Sequence, residues 1–397
     1  MKELFSGQFD VVVVGQGVAG TMLAFHLNKM GAKVLIIDSD HEKSSSMVSA
    51  GLIDPLFGSR LRSVFEFDQA FSYASQVYLE LEQLVDCSFF KPMSAKRYIS
   101  TPLNNKQVKK ASSYLVNTGG GLNDFKLRES FGSSYLSLET ENSSLLNVSL
   151  LLKKMRGYFD TSRNIVSKRV SEAELVALLS SLEKDECLGG DTKVVFCDGW
   201  QSVSNPFFSW LPWFCTFGEL MTFRFKNDPG LSRKHIHFFN QWLVPSGESE
   251  WVFGSNYIPM SSLGDLKNDV PNVCTDRIDL IYKKWADDVI GKGVKGESIR
   301  TENLSKIDIL SINSGIRPTL KDAKPVMGPH PKYSNIWIFN GLASKGSLYA
   351  PLVAKQCSES LLNGASICEK FGVARFYSFY EGSCLKIQGI RPLKRAV

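Results

Sequence analysis

The sequence predicts an α/β fold in which an N-terminal dinucleotide-binding βαβ domain is interrupted by a second domain built on antiparallel sheet. Three observations carry this. Asp10–Asp38, DVVVVGQGVAGTMLAFHLNKMGAKVLIID, reads as strand, glycine turn, helix and strand. Phe214–Tyr257 divides into the alternating runs LMTFRF, HIHFFNQWLVP and WVFGSNYIP. Two further apolar strands, KVVFC at 193–197 and NIWIFNG at 335–341, flank that block and supply a return to the first domain.

In chain order, Val11–Val14 is long enough for one buried parallel strand. Gly15, Gly17 and Gly20 follow at GxGxxG spacing. The first permits the tight turn, the second admits a pyrophosphate to the backbone, and the third lets the helix lie close on the sheet. The helix N-terminus offers free N–H groups and a positive dipole end to phosphates. Asp38 closes the second strand, placed to accept the hydroxyls of an adenosine ribose. Its carboxylate opposes a 2′-phosphate, which disfavours NADP. The motif by itself leaves FAD and NAD open.

A serine-rich loop at 39–49 follows, then AGLIDPLFGSR. Phe67–Val85 has the apolar period of a packed helix (Phe71, Ala74, Val77, Tyr78, Leu81, Leu84). Residues 87–101 suggest a strand or strand pair. Residues 104–145 are polar, with a turn at Gly119–Gly121. Leu145–Phe159 reads as helix, and a short strand ends near Val170. Thr275–Ile290 is an amphipathic helix, and a last helix spans about Leu348–Leu362. No internal repeat or low-complexity tract is present.

Composition narrows the function classes. The chain has 397 residues, 43% hydrophobic and 22% charged, without long blocks of one sign, as a folded protein of about two domains has. A net charge of +6 suits an anionic substrate and is too diffuse to argue for nucleic acid. The basic stretch Arg391–Arg395 reads as a solvated tail. The first strand starts near residue 10, which leaves no room for a cleaved signal peptide, and no run approaches the ~20 apolar residues of a membrane span, so a cytoplasmic protein is expected. The 8 cysteines include no CxxC pair and read as small core residues of a reducing compartment. His235 and His237 share a strand face but lack a third ligand, so no metal site is expected.

Several blocks together resemble the D-amino acid oxidase/glycine oxidase family of FAD-dependent oxidoreductases, over nearly the whole length and in the same order. These are the N-terminal fingerprint, the small-residue stretch Ser46–Leu52 (SMVSAGL), Val194–Gly199 (VVFCDG), Gly315–Pro318 (GIRP) with Pro325–Gly328 (PVMG), and Asn340–Pro351 (NGLASKGSLYAP). Cys197-Asp198 and Lys345 stand where the family more usually has small residues or glycine.

The resemblance implies a Rossmann-like FAD-binding domain with an inserted antiparallel-sheet (α+β) substrate domain. The division is 1–66, 141–213 and 306–397 for the FAD domain, and 67–140, with helices bridging to it, and 214–305 for the substrate domain. It implies FAD contacts from Gly15, Gly17, Val18, Ala19, Gly20, Asp38 and Ser39, and from Ser46, Ser49, Ala50, Gly51 and Leu52. Further contacts fall to Val170, to Cys197, Asp198, Gly199 and Trp200, and to Gly341, Leu342, Ala343, Ser344, Gly346 and Ser347. Arg317 takes the place of the family's carboxylate-binding arginine, whose planar fork fixes position and angle. Lys345 is the second catalytic candidate, as a cation that stabilises reduced flavin or favours its reaction with oxygen. Phe238, Phe239, Trp242, Trp251 and Tyr257 are assigned mostly to core, with a pocket wall as the other reading. Trp200 and Trp210 share that ambiguity.

The expected activity is oxidation of a C–N bond of an amino acid or other small amine by hydride transfer to flavin N5. The alternatives are a FAD protein acting on an amine attached to a macromolecule, such as modified tRNA, and a 2-hydroxy acid dehydrogenase on the same fold. The electron acceptor, oxygen or another, the oligomeric state and covalent attachment of FAD stay open.

Overall fold

The computed structural model describes residues 8–39, 44–58, 62–100, 125–129, 135–162, 164–183, 191–226, 231–238, 241–260 and 307–387. The expected turn at 119–121, the helix at 275–290, Phe239 and the basic C-terminal stretch lie outside them.

The strands in chain order are β1 (Val11–Val14), β2 (Val34–Ile37), β3 (Leu52–Ile53), β4 (Leu56–Phe57), β5 (Arg62–Ser63), β6 (Phe90–Ser100), β7 (Phe125–Glu129), β8 (Tyr135–Leu146) and β9 (Ile165–Val166). They continue with β10 (Lys193–Phe196), β11 (Thr216–Phe225), β12 (His235–Phe238), β13 (Trp242–Ser246), β14 (Glu250–Gly254), β15 (Ile258–Pro259), β16 (Ile307–Arg317), β17 (Val326–Pro329) and β18 (Ile336–Asn340). The α-helices are α1 (Val18–Lys29), α2 (Phe67–Val85), α3 (Val148–Thr161), α4 (Glu172–Glu183), α5 (Gly346–Asn363) and α6 (Tyr377–Ile387).

One sheet has the order β17-β18-β10-β1-β2-β9. Every pair in it is parallel except β17 with β18. Its strands come from three separated stretches of chain, and β10 lies directly against β1, with Val12 opposite Val194. The reason β1 is four valines rather than an alternating strand is that both faces are covered. Val11 and Val13 face a core shared with α1, α2, α3 and α5. Val12 and Val14 face another, with Leu175 and Leu178 of α4 and Phe207, Phe208 and Phe376.

The second sheet runs β15-β11-β14-β13-β12-β6-β8-β3, with β16 also on β11 and β7 on β8. It is antiparallel apart from β12 with β6, which are parallel. Two sequence boundaries fall elsewhere in hydrogen-bonding terms. β8 carries this sheet's ladder to Leu146, past the division expected at 140. β16, placed within the last FAD-domain segment, pairs with β11 along its whole length.

The sequence reading passed over α4. Its start carries a capping box: Ser171 N–H donates to the Glu174 carboxylate at 3.0 Å, and Glu174 N–H donates to the Ser171 hydroxyl at 3.3 Å. The hydrogen bond from Lys168 and this cap together hold the Glu174 carboxyl down at about 2.

Helix α5 contains Pro351, whose ring nitrogen has no hydrogen to give to the Ser347 carbonyl one turn earlier. Tyr78 of α2, fully buried, donates its hydroxyl to that carbonyl at 2.6 Å. The bond ties α2 to the first turn of α5. Tyr78→Phe leaves the carbonyl buried and unpaired, so it is expected to lower unfolding free energy by about 1–3 kcal/mol, measured by denaturant titration. An unchanged midpoint would show that the carbonyl finds another donor.

Candidate functional site

Both sheets line a cavity of about 2390 Å³. Its lining takes in Asp38, Ser39 and Val170 together with Gly15, Gly17, Val18 and Ala19. The small-residue stretch Ser46–Leu52, the turn Cys197–Trp200 and the loop Leu342–Ser347 follow, with Arg317 and Tyr257 on the side of the second sheet. Of the FAD-contact and catalytic candidates named from sequence, Gly20 and Gly341 do not line it.

Gly15 has φ of +101°, and a Cβ there would stand 2.5 Å from the Cys197 carbonyl oxygen. A Cβ on Gly20 would stand 1.9 Å from the Gly15 carbonyl oxygen. The first and third motif glycines therefore let β1, β10 and α1 meet, while Gly17 opens the cavity at the start of α1. Ser46 reaches this helix end, and its hydroxyl accepts from Val18 N–H at 3.2 Å.

Asp38 is held from two sides. Gln16 N–H donates to one oxygen at 2.9 Å, and Arg156 Nη1 donates to the other at 3.0 Å. Arg156 also donates to Gln16 Oε1 and to Ser167. Sequence reasoning missed both residues, because α3 delivers Arg156 from a distant part of the chain.

Asp198 lies on the cavity wall, yet its carboxylate is occupied. Ser202, Asn205 and Asn340 all donate to it, which joins the ends of β10 and β18. Burial pushes its carboxyl up, against the pull of those bonds. Burial likewise pushes the Cys197 thiol well up, as a core thiol rather than a nucleophile.

Arg317 ends β16. A Cβ on Gly218 of β11 would lie 2.1 Å from both terminal guanidinium nitrogens, so the group rests flat on that glycine. The Tyr257 ring centre is 4.4 Å from its Cζ. Nη1 donates to the Asn256 carbonyl at 3.2 Å. Among the described residues no carboxylate pairs with it, and burial works against its charge. Faces and one donor are thus engaged, while the remaining donors are available to an anion.

Lys345 precedes α5, and its Nζ lies 3.9 Å from the Phe57 ring centre. It too has no carboxylate partner among the described residues, and burial lowers its pKa to about 8. The loop carrying it packs beside Arg317, since Ala343 N–H donates to the Pro318 carbonyl at 3.1 Å.

A buried ion pair also lines the cavity. Arg97 of β6 donates to Asp54 and to the Leu56 carbonyl, with its Cζ 3.8 Å from the Phe238 ring centre. Of the candidate wall aromatics, Phe238, Trp242 and Tyr257 line the cavity, as does Trp200. Trp251 is core, and Trp210 packs on His330 and Tyr380. The assignment of most of them to core is therefore reversed, because one face of the second sheet is a cavity wall. Glycines inside strands were the available signal: a Cβ on Gly254 would meet Leu220 and the Trp242 ring.

His235 and His237 are engaged with Ser232 and Glu139. Among the described residues no three acidic, histidine or cysteine side chains gather where they could hold a metal. No helix of the described residues is long and apolar enough to cross a membrane.

Residues 10–122 match the DAO family, described as FAD dependent oxidoreductase. Among solved structures, iminodiacetate oxidase from Chelativorans sp. superposes with a TM-score of 0.68 at 13% identity, covering 91% of this chain and 99% of that one. Glycine oxidase from Bacillus cereus gives 0.66 at 15% identity, covering 90% and 96%. L-proline dehydrogenase from P. horikoshii gives 0.64 at 13% identity, covering 97% and 99%. Digeranylgeranylglycerophospholipid reductase of Methanococcus aeolicus is 43% identical over 42 residues, which is 11% of each chain. The match thus spans about a tenth of that curated relative's length. The family match agrees with the sequence resemblance over residues 10–122, and the solved structures agree with it in fold.

The Lys345 ammonium sets a pH dependence with a definite sign. Its folded pKa of about 8 lies below the ordinary 10.5, so between these values the unfolded chain binds more protons and stability rises with pH. In cofactor-free protein, Lys345→Met is expected to be more stable than the parent at pH 7, with the gap closing as pH passes from about 8 to 10.5. Parallel stability curves for the two proteins would place the ammonium in water.

Proposed function

We propose that this chain, a FAD-dependent oxidoreductase of the DAO family, oxidises a C–N bond of an amino acid or another small amine. The observation that carries the reading is the Arg317 guanidinium, flat on Gly218, capped on one nitrogen and otherwise open to the cavity. A group held this way recognises a carboxylate by two parallel hydrogen bonds. The amine oxidases among the structural neighbours support the class, and nothing in them favours a macromolecular amine or a hydroxy acid.

The cavity suits an extended dinucleotide. Gly15–Ala19 at the start of α1 would hold the pyrophosphate, Asp38 the adenosine ribose, and Ser46–Leu52 with Leu342–Ser347 the flavin end. When bound, FAD supplies the acceptor for a hydride. Arg317 would orient the substrate through its carboxylate, and orientation is a large part of the rate when no covalent step is needed. The start of α5 would offer its positive dipole end, and Lys345 its ammonium, to negative charge that develops on a bound flavin. Trp242, Phe238 and Leu220 give the cavity an apolar stretch of wall against which an amine's carbon chain would pack.

Two substitutions test these roles. Asp38→Ala removes the ribose acceptor and frees Arg156, and is expected to weaken FAD retention by about 1.5–3 kcal/mol, read by equilibrium dialysis. Retention equal to the parent would remove Asp38 from the cofactor site. Arg317→Ala is expected to keep FAD bound and to slow flavin reduction by a carboxylate substrate, with little effect on its neutral amide. Arg317→Lys is expected to restore only part of the rate, since an ammonium keeps the charge but not the fork. Stopped-flow reduction of all variants at the parent rate would make Arg317 a structural residue.

A further inference from the structure

We propose that Glu219 and Asn256 are positioning residues that fix the plane of the Arg317 guanidinium, an inference that rests on Arg317 binding the substrate carboxylate. A long arginine side chain gains little from being charged unless something holds its fork in one orientation, because its rotamer freedom must be lost on binding. Two of the three groups that hold Arg317 come from one short link. The Asn256 carbonyl accepts from Nη1, and the Tyr257 ring packs against Cζ.

That link has no ladder of its own. β11 pairs with β14 up to Leu220 opposite Gly254 and resumes with β15 at Phe217 opposite Ile258. Between these points two residues of β11, Gly218 and Glu219, face three of the link, 255–257. The Asn256 side chain closes the gap. Its Oδ1 accepts from Glu219 N–H at 2.7 Å, and its Nδ2 donates to the Glu219 carboxylate. The two residues form a reciprocal clamp, and they tie the Asn256 carbonyl and Tyr257 to the strand that also supplies Gly218.

Glu219 is 4% exposed and pairs with no cation among the described residues. A buried carboxylate whose side-chain partner is an amide is a costly choice where an apolar residue would pack. The clamp uses one of its oxygens, which accepts from Asn256 Nδ2 while the Glu219 N–H donates back, and the other oxygen is buried with no partner among the described residues.

The test uses the FAD-loaded full chain and changes in the flavin spectrum on titration with acetate, propionate and benzoate, each beside its primary amide. Asn256→Ala and Glu219→Leu are expected to weaken carboxylate binding on the order of tenfold to a hundredfold and to leave amide binding within about twofold. Glu219→Gln keeps the shape and one acceptor oxygen, and is expected to stay near the parent. Arg317→Ala abolishes the preference for acid over amide. If Arg317→Ala does so while Asn256→Ala and Glu219→Leu keep the parent's preference, or weaken acid and amide alike, the clamp is structural and the proposal fails alone. If Arg317→Ala keeps the preference, or no carboxylate perturbs the parent's flavin, the Arg317 reading fails and the proposal with it.

Discussion

The close approach at Gly15 is the constraint on which the rest depends. The end of β10 comes so near the end of β1 that a Cβ on Gly15 would meet the Cys197 carbonyl, and α1 comes so near the turn that a Cβ on Gly20 would meet the Gly15 carbonyl. These two contacts set where α1 begins. They also set where α5 lies, since α5 packs on α1 with Gly346 against Val18. Two helix N-termini are thereby brought to one cavity edge, where their partial positive charges act together on an anionic or electron-rich ligand. A methyl group at either glycine would push apart elements that share a continuous core.

The cavity wall solves a different problem, which is to present charge without losing it to the protein. Asp54 and Arg97 neutralise each other in the wall, and Asp38 is paired with Arg156. Asp198 is surrounded by three donors. Arg317 and Lys345 are covered by aromatic rings and glycine instead of by carboxylates among the described residues. A desolvated cation treated this way has its strongest interaction still unmade, and a bound anion completes it.

What could be read from the sequence follows the range of the interactions involved. The βαβ unit was legible because its glycines, valines and terminal acid lie within one local segment. α2 was legible because its apolar period is unbroken over Phe67–Val85. GIRP pointed to Arg317, but not to its cradle, because Gly218, Asn256 and Tyr257 reach it only through the pairing of β11 with β16 and the β14–β15 link. The pairing of β16, which begins just past the boundary expected at 305, was hidden for the same reason: it continues a sheet begun by β11. Arg156 became visible only once α3 was folded against α1 and β9. Phe238 and Trp242 face each other across β12 and β13 as core residues do, and only the cavity beside them shows that one face is a wall.

The central claim is that this cavity oxidises an amine held by its carboxylate. Anaerobic addition of amino acids, N-substituted amino acids and the matching 2-hydroxy acids to the FAD-loaded protein tests it most directly, with flavin absorbance and the organic product both followed. The account predicts bleaching by at least one amine that bears a carboxylate, with formation of the matching oxo acid and release of ammonia or an amine. Bleaching by hydroxy acids alone, or by none of the compounds while FAD stays bound, would contradict it.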